Sequence, residues 1–217
     1  MPRLRLGSLE PWEFTDDFFN LFENPRLMPH LHLPLQSGSD SVLKRMSRRC
    51  KTDDYSAIVR RLRAQVPDIN LTSDIIVGFP GETEQEWQES LKYIEKTGFG
   101  DLHIFSYSSR TGTKAASLPH PVDEPVKKQR SRELHQLAEK LKRNYLSEQV
   151  GKRFPVLWEG HSEVIDRNSK RVFGYTPNYI RVACVIDTNE SIENRILDVE
   201  LREVNGHFVE ASLQQTR

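Results

Sequence analysis

The run Ile69-Asn70-Leu71-Thr72-Ser73-Asp74-Ile75-Ile76-Val77-Gly78-Phe79-Pro80-Gly81-Glu82-Thr83-Glu84-Gln85-Glu86-Trp87 carries the clearest structural signal in the chain. An aliphatic stretch leads into a turn of glycine and proline, and a helix start follows. Thr83 is placed to accept the amide of Glu86 while the Glu86 carboxylate reaches back to the amide of Thr83, the reciprocal arrangement of a capping box. Trp87, Leu91 and Ile94 then share one side of the helix, and Gly98 stops it. Strand, turn and capped amphipathic helix together make one βα unit of a parallel sheet.

Working outward, residues 4–9, 31–36 and 102–107 join 69–77 as candidate strands, each aliphatic and each followed by turn-forming residues. After Thr52, the side chains Tyr55, Ile58, Val59 and Leu62 recur at helical spacing. Pro119, Pro121 and Pro125 then break the pattern. A long helix follows, with Leu134, Leu137, Ala138, Leu141 and Tyr145 on one stripe.

Past Gly151 the period changes from helical to alternating: Phe154, Val156 and Trp158, then Leu197, Val199 and Leu201, then Val209, Ala211 and Leu213. Four or five short strands are too few for an immunoglobulin-sized sandwich but enough for a small barrel of OB-like shape. The expectation is an α/β region over 1–150 and an all-β domain over 151–217.

Composition excludes several classes. Thirty-one basic residues balance 31 acidic ones, so any polyanion surface is local. No apolar stretch approaches membrane-helix length and residues 1–9 lack a signal-peptide core, which gives the expectation of a soluble, cytoplasmic protein with no membrane partner. Cys50 and Cys184 are the two cysteines, too few and too far apart for a disulfide framework or a spaced metal cluster.

Three polar loops fall at the expected carboxyl ends of strands: Gln36 to Asp40, Gly78 to Thr83, and Ser106 to Thr113. Ligands of parallel α/β sheets bind at that edge. The second loop lacks the lysine and spacing of a P-loop. Gly78 and Gly81 offer close backbone approach, and Gln36 and Ser37 can both donate and accept, as a ribose or amino-acid group requires. His30 and His32 share a strand face, but with no third ligand apparent they read as packing or substrate contacts rather than metal ligands. His103 reads as a core histidine.

Between Lys44 and Arg63, eight basic residues face two acids, a local excess of 8 − 2 = +6 that includes Arg48 and Arg49. A phosphate-backbone patch and a solvated helical face both fit it. In the β region, Arg171, Phe173, Tyr175, Tyr179 and Arg181 interleave cations and aromatics around a turn. That suits either base stacking with phosphate contact or cross-strand aromatic pairing.

The run His30 to Asp40 with Val42 to Met46, the stretch Ser73 to Thr83, and Leu102 to Thr113 with its Tyr-Ser-x-Arg-x-Gly-Thr ending resemble the radical S-adenosylmethionine domain of tRNA methylthiotransferases. Residues from about 151 resemble the TRAM domain by which these enzymes hold RNA. The segment Ser8 to Trp12 points to the branch that thiomethylates N6-threonylcarbamoyladenosine at position 37 of tRNA. The resemblance implies a partial radical-SAM β/α barrel made of its C-terminal strands, followed by a TRAM barrel.

It also implies S-adenosylmethionine and four-iron four-sulfur clusters as cofactors, and tRNA as partner. By position, Gln36, Ser37, Gly78, Ile104 and Phe105 are the cofactor-binding candidates, and Arg171, Phe173, Tyr175, Tyr179, Arg181, Arg48 and Arg49 the RNA-binding ones. The family's cluster-binding cysteine triad has no counterpart here. The resulting expectation is a carboxyl-terminal portion that needs the missing N-terminal portion of the enzyme, with no cluster or metal on this chain and no activity alone. The alternative is a non-catalytic RNA-binding remnant or adaptor.

Overall fold

The structure is a computed structural model and describes residues 2–213. Its first layer is a three-stranded parallel sheet in the order β1 (His30–His32), β2 (Asn70–Val77), β3 (Asp101–Ser106). Helices α1 (Asp16–Asn20), α2 (Asp40–Arg45), α3 (Thr52–Gln65), α4 (Glu84–Thr97) and α5 (Glu124–Ser147) fall around and between the strands. The capping box on α4 is formed: Glu86 N donates to Thr83 Oγ1 at 3.3 Å and Thr83 N to Glu86 Oε2 at 2.9 Å. Gly98 ends the helix at φ 67°, where a side chain would be strained.

Two of the expected strands differ. Residues 4–9 make isolated parallel bridges, Leu4 to Leu27 and Ser8 to His32, rather than a strand. Arg3 and Arg5 are drawn across to the β domain instead: Arg3 Nη1 donates to the Tyr175 carbonyl at 3.0 Å and the Arg5 guanidinium lies 3.5 Å over the Tyr179 ring. The strand expected over 31–36 stops at His32, because Pro34 has no amide to give the ladder. Register slips from His32 opposite Thr72 to Gln36 opposite Ile75, a one-residue bulge. Ser73 repairs the gap: its Oγ accepts from Leu35 N at 2.9 Å and donates to the Leu33 carbonyl at 2.7 Å.

Strand parity divides the sheet into two unlike faces. Leu31, Leu71, Ile75, Val77 and Leu102 face the helices and pack with Tyr55, Leu62, Trp87, Ile94 and Leu134. His30, His32, Thr72, Asp74, His103 and Phe105 occupy the opposite face by alternation, which opens onto recesses with the end of α5, through Lys142, Tyr145 and Leu146, along one side.

The second layer is a closed barrel, β4 (Arg153–Val164), β5 (Ser169–Tyr175), β6 (Arg181–Asp187), β8 (Phe208–Leu213), β7 (Ile196–Asn205), returning to β4. Closure comes from a short parallel contact, Val182 with Val209. Val156, Trp158, Val182, Val199, Leu201 and Val209 fill it and are fully buried. Helix α5 ties the layers together, giving Leu134 and Leu141 to the sheet core and Leu146 to the barrel core. Among the described residues no helix is long and apolar enough to cross a membrane.

The junction is polar. Asn178, 0% exposed, donates to the Asp68 carbonyl at 3.1 Å and to the Tyr145 hydroxyl oxygen at 3.0 Å, while Asn70 Nδ2 donates to the Asn178 carbonyl at 3.0 Å. Directional bonds between buried amides across an interface fix its register as well as its strength, although Asn70 Oδ1 itself is buried without a partner.

Candidate functional site

The open sheet face forms the floor of a 470 Å³ recess lined by Arg5, His30, His32, Asp74, His103 and Phe105. A 400 Å³ recess shares His30, His32 and His103 and runs on to Tyr175, Tyr179 and Arg181 of the barrel. Cavities of this size accept small ligands or the end of a larger one. A separate 520 Å³ recess near Arg63, Lys96, Glu148 and Lys152 lies at the amino-terminal end of the strands, away from the edge where parallel sheets bind ligands.

In the middle of the floor, β1, β2 and β3 each contribute one polar group. Asp74 Oδ1 lies 3.2 Å from His32 Nε2 and 3.2 Å from His103 Nδ1. The other nitrogen of His32, Nδ1, is 2.9 Å from Thr72 Oγ1, and the two imidazole rings stack at 5.2 Å. His103 departs from the expected core histidine: its side chain is 60% exposed, because β3 is an edge strand with one open face. His30 is different. Burial, then Arg5 and His32, push its pKa down to about 4, and it sits edge-on to Tyr179 at 5.0 Å.

The five cofactor-binding candidates do not converge. Phe105 is 53% exposed on the open face, whereas Ile104, its neighbour in β3, points to the helix side and packs there. Ser37 is fully buried, and its Oγ accepts from Ser39 N at 3.3 Å. Gln36 takes φ 74° and pairs through its backbone with β2. The Gly78 amide is already engaged, donating to Glu82 Oε2 at 2.8 Å, and the stem of Lys127 lies 2.2 Å from where a Cβ would be built. The loop is held by a buried pair that sequence reading did not single out: Arg130, 4% exposed, donates to Glu82, 5% exposed, at 3.0 Å. Burial raises the Glu82 pKa, against the pull of the Gly78 amide and Arg130.

The cysteines do not suit an iron–sulfur cluster. Cys50 lies in the sheet core and Cys184 in the barrel core, and burial pushes their thiols up to about 11 and about 12, whereas cluster ligands are thiolates.

The RNA-binding candidates are largely engaged within the protein. Arg171 pairs with Glu210 at 3.4 Å. Phe173, 2% exposed, lies between His161 and Phe208, with the Arg181 guanidinium 4.2 Å over its ring. Tyr175 and Tyr179 stack on each other at 4.7 Å. Tyr179, 39% exposed, and Arg181 still border the recess over the sheet.

In the basic segment, Arg45, Arg48 and Arg61 are paired with Glu86, Glu10 and Asp16, whereas Arg49 is exposed and outside any ion pair among the described residues. The local excess of charge is therefore smaller in space than in sequence. Asp74 and His103 were missed as site residues. The available signal was strand parity, since both fall on the same face as His32 once the three strands are aligned.

Comparison with known proteins agrees with this architecture. Residues 8–94 match the model of the Radical SAM superfamily. The chain is 36% identical over 200 residues to the threonylcarbamoyladenosine tRNA methylthiotransferase MtaB of Bacillus subtilis, covering 92% of this chain and 44% of that one. It is 44% identical over 158 residues to MtaB of Thermotoga maritima, covering 72% and 36%. To the tRNA-2-methylthio-N(6)-dimethylallyladenosine synthase of Clavibacter michiganensis it is 41% identical over 175 residues, covering 80% and 33%.

The chain thus spans less than half the length of these curated relatives. Among solved structures, coproporphyrinogen III oxidase (HemN) of Escherichia coli, a radical SAM enzyme, matches with TM-score 0.54 at 16% identity over 64% of this chain and 32% of that one, a likeness of fold. By these relationships residues 8–94 match the radical SAM superfamily, and the chain over most of its length is similar to the tRNA methylthiotransferases.

Proposed function

We propose that this chain forms part of a tRNA methylthiotransferase that adds a methylthio group to N6-threonylcarbamoyladenosine 37 of tRNA in the cytoplasm. Residues 1–150 act as the C-terminal part of the radical-SAM domain and 151–217 as a TRAM domain. The observation that carries this reading is the similarity to Bacillus subtilis MtaB over 92% of the chain, which takes in sheet and barrel together.

The family's S-adenosylmethionine and iron–sulfur clusters supply the radical and the sulfur. With two buried cysteines in separate cores, this chain offers no thiolate triad, so the cluster ligands come from a further segment or another polypeptide, and the chain alone is inactive. What its own residues do is bind and orient. Phe105 offers a ring face at the rim, the exposed edge of Tyr179 and Arg181 border the barrel side of the recess, and Arg49 meets the phosphate backbone.

The test is mass spectrometry of tRNA nucleosides from a strain lacking the gene. Loss of the methylthio form with retention of threonylcarbamoyladenosine is expected. Loss of methylthio-dimethylallyladenosine instead would move the substrate to the other branch. The cysteine content favours one second reading, a non-catalytic RNA-binding adaptor; unchanged nucleosides together with tRNA binding by the purified chain would select it.

A further inference from the structure

The cluster of His32, Asp74 and His103 is unexplained by any of the roles above. We propose that it is a binding site for one divalent first-row transition-metal ion of the zinc class, held by His32 Nε2, an Asp74 carboxylate oxygen and His103 Nδ1, with its fourth position open to the recess. The proposal does not depend on the reaction assigned to the protein.

Four observations carry it. The three donor atoms, one from each strand of the sheet, all lie within 4.8 Å of one another. Both nitrogen-to-oxygen separations are 3.2 Å, close to the roughly 3.3 Å between neighbouring donors around a tetrahedral zinc with bonds of about 2.0–2.1 Å. Thr72 Oγ1, 2.9 Å from His32 Nδ1, is where an outer partner must stand to take that ring's N–H and leave Nε2 as a bare lone pair aimed at Asp74.

In the tautomer whose N–H goes to Thr72 Oγ1, the Nε2 lone pair faces a carboxylate oxygen and a cation between them satisfies both; in the other, the Thr72 hydroxyl donates to Nδ1 and Nε2–H donates to Asp74. Finally, the side chains grade from 13% exposed at His32 through 22% at Asp74 to 60% at His103, so one side of the triad is anchored and the other is reached from solvent. Two imidazoles and one carboxylate are the donor set of open, exchange-competent sites rather than closed structural ones.

Protons can fill the same gap, with each imidazole donating to Asp74, and the experiment separates the two. The metal-free chain is titrated with Zn²⁺ by calorimetry and with Co²⁺ by visible absorption, alongside His103→Ala, Asp74→Asn and Thr72→Val. His103 is exposed, so its replacement leaves the core intact, which circular dichroism checks.

The expected result is one equivalent of metal per chain and a tetrahedral Co²⁺ spectrum. His103→Ala and Asp74→Asn should abolish that spectrum, and Thr72→Val should weaken affinity by about tenfold through the outer partner. Absence of a stoichiometric event in the wild type overturns the proposal, and so does a wild-type titration curve from His103→Ala.

Discussion

The sheet and the barrel solve the same problem in opposite ways. The barrel closes on itself, so its centre is filled by buried, mainly apolar side chains such as Val156, Trp158, Val182, Val199, Leu201 and Val209. The sheet has three strands and one helical cover, so half of its alternating positions face an open recess, and that half holds His32, Thr72, Asp74 and His103. Closure spends strand parity on stability, while an open face leaves it for chemistry.

The largest expected contrast comes from one truncation in each region. Trp158→Ala empties the barrel centre and should cost about 3–5 kcal/mol, read as a shift in the urea midpoint. Phe105→Ala on the open face should change stability by less than about 0.5 kcal/mol. Equal losses would break the division.

Next comes the buried pair behind the Gly78 loop. Arg130→Ala should cost about 3 kcal/mol by stranding Glu82. The sign with pH follows from the raised pKa: a carboxyl that prefers its proton when folded favours the folded state at low pH and loses that advantage as pH rises above the ordinary glutamate range. The variant should therefore fall further below wild type as pH rises toward neutrality, which thermal melts across that range will show.

At the junction, Asn178→Ala removes its donations to the Asp68 carbonyl and the Tyr145 hydroxyl oxygen, which keep only the 3.2 Å bond from the Tyr145 hydroxyl to the Asp68 carbonyl, and takes Asn178 Oδ1 away from the Thr176 hydroxyl that donated to it. About 1–3 kcal/mol should be lost, with faster hydrogen exchange over residues 176–180.

The last effect belongs to Glu86 on α4 and is confined to pH above its acid range. Arg45, then Ser41 and the Thr83 amide, hold its carboxyl down to about 2, against the opposing effect of burial. A depressed acid contributes stability above its unfolded range and loses it as pH falls toward about 2. Glu86→Gln should flatten that acid limb in melts taken below pH 4.5.

These contrasts also explain what could be read from sequence. The α4 capping box was legible because it is a local exchange between Thr83 and Glu86, and the barrel strands were legible because alternation needs no partner to be seen. The strand expected at 31–36 was shortened by Pro34, whose effect depends on Ser73 in another strand accepting the displaced amide. The basic excess of residues 44–63 is smaller in space for a similar reason: Glu10, Asp16 and Glu86, which pair with three of its arginines, come from elsewhere in the chain. Likewise Arg171, Phe173 and Tyr175 were visible as residue types, but that they spend themselves on Glu210, His161 and Tyr179 is decided by the fold.

The most direct test of the division between an open face for chemistry and a barrel for grip is a strain carrying Asp74→Asn. Its tRNA nucleosides are measured by mass spectrometry, and tRNA binding is measured on the purified variant. Joining the proposed methylthiotransferase function to the proposed metal site, with the open face as the reacting side, the account predicts that methylthiolation disappears while tRNA binding is unchanged. Normal methylthiolation, or its loss together with binding, would contradict it.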